Sequence, residues 1–415
     1  MSERPAAAPA ECSRAADAFA ALPPLPPRLR AILDQEYPRF PAGELRRRHA
    51  CLLERADAAG ADAVLVCGEN RSGTGVGWLT GWPVTAEAVA LPDRAGGGTL
   101  FVQHHNHVPL ARRLAAGWDV RWGGPATVEA VAAELAARGA RRVGVTGPWA
   151  ARKHSQLAER WELVDLNADY TALRLVKSPD EIDWIRIGAW LTDRAVGALA
   201  AELRSGLTER DLWRICESAY VGEGGATWIH YFGVTPMAAP DCCVPAQYPS
   251  ARPIEPGDAV LFEISAQFWE YPGQALRTFA VEAAPAPLYR ALHAAAEAAF
   301  DAVLAQIRPG ATMQSIVDAA RVIEAAGFST CDDLVHGFVG GYLPPVLGSR
   351  SRPAGPLPEM ALAAGMTLVV QPNVVTPDLR AGVQVGELVL VTDAGAERLH
   401  ALPRGLFVAG PPGAA

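Results

Sequence analysis

The sequence predicts an α+β protein in which two similar halves of the C-terminal region build one curved antiparallel sheet, preceded by a smaller α/β domain. Two observations lead there. Between residues 45 and 167, short apolar runs of strand pattern alternate with segments of helical periodicity. Farther on, Leu203-Arg-Ser-Gly206-Leu-Thr208 recurs about a hundred residues later as Ile307-Arg-Pro-Gly310-Ala-Thr312, each glycine closing one helix before threonine caps the next. Each motif leads to a strand of one pattern, Pro256 to Ile264 and Ala364 to Pro372. Pseudo-twofold symmetry follows, with helices on one face of the sheet. Glu263 and Gln371 hold comparable points on their strands, so the repeat alone directs both side chains to a shared central pocket.

Taken in order, residues 1–28 carry Pro23-Pro24 and Pro26-Pro27 with little periodicity, and read as a disordered or strap-like arm. Residues 29–170 form the α/β domain. It contains a helix from Leu45 to Ala59, strands at Ala63–Val66, Ala88–Leu91 and Thr99–Val102, a helix from Val108 to Ala116, a strand at Val143–Val145 and a helix from Ala151 to Glu159. Residues 171–415 form the third part, where Ser178 before Pro179 starts a helix.

Composition suits a globular enzyme, with 50% apolar and 20% charged residues and a net charge of −8. Nucleic acid is not an expected partner, because Arg46-Arg47-Arg48 and Arg141-Arg142 sit among apolar residues at helical or strand spacing and read as solvated faces. Seven cysteines, an odd and scattered set, do not make a secreted disulfide framework and fit a reducing cytoplasm. Neither a signal peptide nor a membrane span is expected, and the arm's Ala- and Pro-rich start lacks a continuous apolar core.

The residues that carry chemistry lie in the third part. Gly257-Asp258 leads through Glu263 and Gln274, with ten residues between them, to Arg277-Thr278; then come Val335-His336-Gly337, Gln371-Pro372 and Gly386-Glu387. This series resembles the signature of the pita-bread enzymes, the superfamily of methionine aminopeptidase, Xaa-Pro dipeptidase and creatinase. The resemblance implies a pita-bread C-terminal fold, a creatinase-type N-terminal domain and a homodimer acting on a small-molecule substrate. In metal-dependent members the five ligands are Asp, Asp, His, Glu and Glu; the matching positions here are Glu263, Gln274, His336, Gln371 and Gly386. Four carboxylates have become one. Two adjacent divalent cations need anionic oxygens to bind them and to offset their repulsion, so the expectation is a pocket with no metal and no cofactor.

In that pocket His336 and Glu263 are the expected acid and base, a structural histidine being the plainer alternative. Gln274 and Gln371, which donate as well as accept, suit an amide, urea or guanidinium; decay of an old metal site is the other reading. Glu387 reads either as a holder of a cationic group or as an ordinary acid at a strand end. Strand alternation puts Trp228, His230 and Phe232 on one face and Tyr231 on the other, leaving His230 as a second acid/base, a stacking wall or part of a half-buried aromatic strand. The resemblance implies a catalytic histidine near Pro240-Asp241-Cys242-Cys243, where none stands, so Asp241, Cys242 or His230 are the candidate substitutes. It also implies a role beside the site for Arg277, and a loop that reaches the partner's pocket, where Arg71 would clamp a carboxylate unless it simply faces solvent. His104-His105-Asn106-His107 reads as a polar loop, and covalent catalysis by the vicinal cysteines carries little weight.

The leading expectation is a metal-independent creatinase-like enzyme acting on a C–N bond of a small amino-acid-derived substrate, with hydrolysis the default and elimination or isomerisation left open. The alternatives are a peptidase with a single-cation site of Glu263, His336 and Glu387, and a noncatalytic binding protein of the same shape.

Overall fold

The computed structural model describes residues 13–70 and 72–411. It divides into two compact units, one of Arg30–Ile182 and the other of the N-terminal residues through Leu29 with Asp183–Ala415.

The Arg30–Ile182 unit is a six-stranded mixed sheet of β1 (Ala63–Glu69), β2 (Glu87–Pro92), β3 (Gly98–Val102), β4 (Trp118–Trp122), β5 (Arg142–Thr146) and β6 (Glu162–Asp165), in spatial order β4-β3-β2-β1-β5-β6. Its core is the apolar face of these strands, with Leu65, Val89, Phe101 and Val143 packed against Val131 and Leu135 of the helix Thr127–Ala137. Arg48 corrects the expectation of a solvated basic face. It is fully buried, its guanidinium 3.9 Å over the Phe40 ring and paired with Glu44 (2.7 Å) and Glu181 (3.6 Å). Glu181 and Ser178 also cap each other reciprocally at the start of the helix Pro179–Glu202, and the Ser178 hydroxyl donates to Glu44. Residues 171–182 therefore belong to this unit rather than the next.

The second unit carries the long sheet. Its strands are β7 (Ala226–Pro236), β8 (Asp258–Phe268), β9 (Tyr271–Pro272), β10 (Ala275–Val281), β11 (Ser329–Thr330), β12 (Val335–Phe338), β13 (Tyr342–Leu347), β14 (Thr367–Val370), β15 (Val374–Val375), β16 (Gly386–Thr392), β17 (Gly395–Arg398) and β18 (Phe407–Ala409). The main path runs β13-β12-β14-β16-β10-β8-β7, all neighbours antiparallel, and β11 pairs with β15 separately.

The sequence repeat is visible in backbone hydrogen bonds. Gly206 N–H donates to Ile254 and Gly310 N–H to Leu362; Ile254 N–H returns to Leu207 and Leu362 N–H to Ala311. Both glycines are left-handed, at φ 83° and 82°, a conformation that Cβ disfavours. Thr208 and Thr312 then accept from the backbone N–H groups of Asp211 and Ser315 to cap the next helices. The symmetry axis falls at the β10/β16 pair, with β8 and β14 flanking it.

Residues 13–29 are a strap on their own chain. Arg14 bridges in parallel to Val408, and the Phe19 ring meets Phe279 and Phe407 edge-on at centroid distances of 5.6 and 5.2 Å. Phe19 is 4% exposed, so its truncation leaves a cavity the strap cannot close. Phe19→Ala should destabilise this unit by about 3–5 kcal/mol in denaturant unfolding of the full chain. A loss below about 1 kcal/mol would show that the strap is not part of the fold's stability.

Candidate functional site

Four strands of the curved sheet and the segment after β14 assemble the cluster around Glu263. Gln274 immediately precedes β10, and its Nε2 donates to Glu263 Oε1 at 2.6 Å and more weakly to Gln371 Oε1 at 3.4 Å. Gln371 lies beyond the end of β14 and neighbours His336, which sits on β12 opposite Val369. The repeat thus brings Glu263 and Gln371 together as expected, and Gln274 is the bridge. The backbone N–H of Gln274 is itself held by His400 Nε2 (3.3 Å), whose Nδ1 donates to Asp193 (2.6 Å).

Burial among protein atoms, followed by the negative charge of Asp332, pushes the Glu263 carboxyl up to about 8. At neutral pH it is an acid that still carries its proton. His336 is fully buried, and desolvation lowers it to about 4 although the Gly337 carbonyl, Asp332 and a side-chain hydrogen bond with Gln371 pull the other way. It is therefore neutral. Its Nδ1 donates to the Gly337 carbonyl (3.2 Å), which leaves Nε2 as an acceptor beside the Gln371 side chain. The Tyr342 ring stacks on the imidazole at 3.9 Å and 14°. Tyr231 stands opposite Glu263 in the β7/β8 register, and its phenol is raised by burial and then by the Glu263 charge.

Sequence reasoning did not find Asp332, Asn373 or Tyr342. Asn373 Nδ2 donates to Asp332 Oδ2 (3.2 Å), and the Asp332 charge is felt at Glu263, His336 and Tyr342. Asn373 lies two residues past Gln371 and Asp332 four before His336, spacings that carry weight only once those two residues are placed.

Other expected residues lie elsewhere. His230 pairs in register with Ile264, one residue off Glu263, and therefore faces away from it; Tyr220 Oη lies 2.8 Å from His230 Nε2, and the Trp213 ring packs against the imidazole. The ladder irregularity between Thr227 and Ile229 leaves half-buried Trp228 unpaired, so simple alternation fails at that point. Glu387 pairs with Ala275 while Gly386 pairs with Leu276, which is opposite Glu263; Glu387 thus occupies the reverse face. There burial pushes its carboxyl up, but Arg277 and Arg398 prevail and hold it below the ordinary range, with Arg277 Nη2 at 2.6 Å. Arg277 also donates to the Gly386 carbonyl (2.8 Å), tying the β10/β16 seam from behind. Neither Glu387 nor Arg277 is available to a ligand beside Glu263. Asp241 is exposed and accepts from Thr235 Oγ1 (2.8 Å), apart from the cluster. Arg71 lies outside the described residues.

The paired cations that the signature implies do not fit this donor set. Gln274 turns an amide N–H toward Glu263, and a side chain at position 386 is sterically closed: a Cβ there would stand 2.6 Å from the Val370 carbonyl oxygen and 2.9 Å from the Gln371 Cβ. Among the described residues no three His, Cys, Asp or Glu side chains are grouped so as to hold a metal ion.

A profile of metallopeptidase family M24 matches residues 183–393. The chain belongs to this family. It is 26% identical over 252 residues to an ectoine hydrolase of Halomonas elongata, covering 59% of this chain and 62% of that protein. It is 30% identical over 241 residues to the probable dipeptidase PepE of Mycobacterium tuberculosis, covering 57% and 61%. The chain thus matches about three fifths of the length of these curated relatives. An Xaa-Pro dipeptidase structure from Bacillus anthracis superposes with a TM-score of 0.76 at 20% identity, over 88% of this chain and 99% of that one. PepE from Mycobacterium ulcerans gives 0.74 at 23%, over 89% and 99%. The M24 chain therefore has the pita-bread fold, and its described helices include none long and apolar enough to cross a membrane.

The raised Glu263 carboxyl has a consequence for folding. Between about pH 4.5 and 8 an unfolded chain releases that proton while the native one keeps it, so stability falls as pH rises through this window. Glu263→Gln removes the effect. Thermal unfolding should show the variant gaining on the wild type from pH 5 to pH 8; parallel curves would mean that Glu263 ionises normally.

Proposed function

We propose that this M24 chain hydrolyses a C–N bond of a small amino-acid-derived amide, urea or guanidino compound without a bound metal. The observation that carries the reading is the Gln274–Glu263 hydrogen bond, which places an amide donor where the metal-dependent pattern has an acid. The names of the relatives, an ectoine hydrolase and dipeptidases, support C–N hydrolysis as the reaction class.

The two groups have complementary protonation states at neutral pH. His336 Nε2, the acceptor nitrogen of a neutral imidazole, takes a proton from water as its oxygen attacks the central carbon. Glu263 delivers its proton to the departing nitrogen, and the C–N bond breaks. Transfer of the His336 proton to bulk water and reprotonation of Glu263 reset the site. Gln371, whose Oε1 accepts from Gln274 and whose side chain hydrogen-bonds His336, positions the imidazole. The single-cation alternative needs Glu387, which is spent on Arg277 and Arg398 on the reverse face.

For a turned-over amide, urea or guanidino compound, kcat/KM should hold between about pH 4 and about pH 8, falling below as His336 gains a proton and above as Glu263 loses one. Glu263→Gln should cut kcat by about 100-fold or more with the fold intact by circular dichroism. Turnover within a few-fold of wild type would reject Glu263 as the acid.

A further inference from the structure

Six cysteines lie among the described residues, and the side chains of two of them, Cys243 and Cys331, hydrogen-bond each other. The main chain brings these distant positions together. Cys242 bridges in parallel to Ala381, and the Cys243 carbonyl oxygen would stand 2.2 Å from a Cβ at Gly382. Gly382 in turn bridges to Val375 of β15, whose two residues pair with Ser329 and Thr330 of β11, and Cys331 follows directly.

The neighbouring and buried thiols are placed differently. Cys242 turns its Sγ to the Val244 carbonyl at 2.9 Å, away from this contact. Cys67 and Cys216 are fully buried, and desolvation pushes both thiols up, so they stay protonated and inert. Cys243 keeps 9% exposure and Cys331 is half-buried, which leaves the pair open to a small oxidant. The hydrogen bond from the Cys331 thiol outweighs burial and holds Cys243 below the ordinary thiol range. The same bond, with burial and the negative charges of Cys243 and Asp332, pushes Cys331 up. One sulfur is therefore the nucleophile and the other its proton-bearing neighbour.

We propose that Cys243 and Cys331 are a peroxide-oxidisable pair that closes to a disulfide next to Asp332. The Cys243 thiolate attacks one oxygen of hydrogen peroxide; the O–O bond breaks, leaving a sulfenic acid and a hydroxide that takes up the proton Cys243 had released. The Cys331 sulfur then attacks the sulfenic sulfur. Its proton leaves with the departing oxygen as a second water while the S–S bond forms, and two electrons have passed from the thiols to the peroxide. Asp332 accepts from Asn373, and its charge is felt at Glu263 and His336. The bond thus ties the segment after β7 to the residue that adjoins this carboxylate, and it forms whichever reaction the Glu263 cluster performs.

The test treats reduced, full-length protein with a small molar excess of hydrogen peroxide at pH 7.5, then alkylates, digests and maps it by mass spectrometry without reductant. The peptide holding Cys331 should be linked to the one holding Cys242 and Cys243, with fragmentation placing the bond on Cys243. Free thiols of the denatured product should fall by two and return with dithiothreitol. Cys242→Ser should keep the link, whereas Cys243→Ser and Cys331→Ser should each lose it, the latter leaving a sulfenic acid at Cys243 that dimedone captures. If a variant fails to fold, the wild-type map decides alone. A bond between Cys242 and Cys243, oxidation of Cys243 past the sulfenic acid with no link, retention of every thiol, or a link formed only in denaturant would overturn the assignment.

Discussion

The hydrogen bond from Gln274 to Glu263 is the interaction on which the rest of the site turns. A half-buried carboxylate packed among protein atoms beside the Asp332 charge favours a cation or a proton, and an amide N–H compensates it only in part. The proton supplies the remainder. Glu263 consequently remains an acid through neutral pH, and the same desolvation keeps His336 uncharged. On the proposed reading, one substitution of acid by amide goes with a change in the kind of chemistry the pocket supports, from charge stabilisation by cations to proton transfer between two groups that start in opposite roles.

The scaffold supports this from behind. The β10/β16 pair lies on the pseudo-twofold axis, and Gly386 on it has no room for a side chain because the Val370 carbonyl and Gln371 occupy the space. On the reverse face Arg277, Glu387 and Arg398 form a buried ion cluster that fixes the same seam through the Gly386 carbonyl. Asp193 and His400 hold the main chain of Gln274 in the same way. Such a cluster contributes position more than stability, since its charges have lost their hydration. The acidic signature residue of the family and its neighbour have in effect separated: the front position is empty of side chain, and the acid survives only as structural charge behind it.

Much of this was legible from the chain because it depends on local rules. The glycine and threonine spacing of the two repeats fixed where helices end and begin, and the symmetry alone directed Glu263 and Gln371 to one pocket. What was not legible depends on register or on distant partners. A single strand irregularity at Thr227 and Ile229 removes Trp228 from the ladder, and the pairing with Ile264 turns His230 from the cluster. The one-residue offset between Gly386 and Glu387 does the same for the acid. Arg48 looked like part of a basic face because Phe40 and Glu181, which bury it, are separated from it by 8 and 133 residues. The arm left disorder and a strap both open because Phe19 finds its anchors at the distant Phe279 and Phe407.

The central claim concerns cation affinity, and it is most directly tested by titrating Zn²⁺ and Mn²⁺ calorimetrically into chelator-stripped full-length protein at pH 7.5. The donor set of one carboxyl, one imidazole and two amides predicts binding no tighter than roughly millimolar and no change on replacing His336 by alanine. One or two equivalents bound at micromolar affinity, and lost in His336→Ala, would contradict it and return the site to a cation-dependent peptidase.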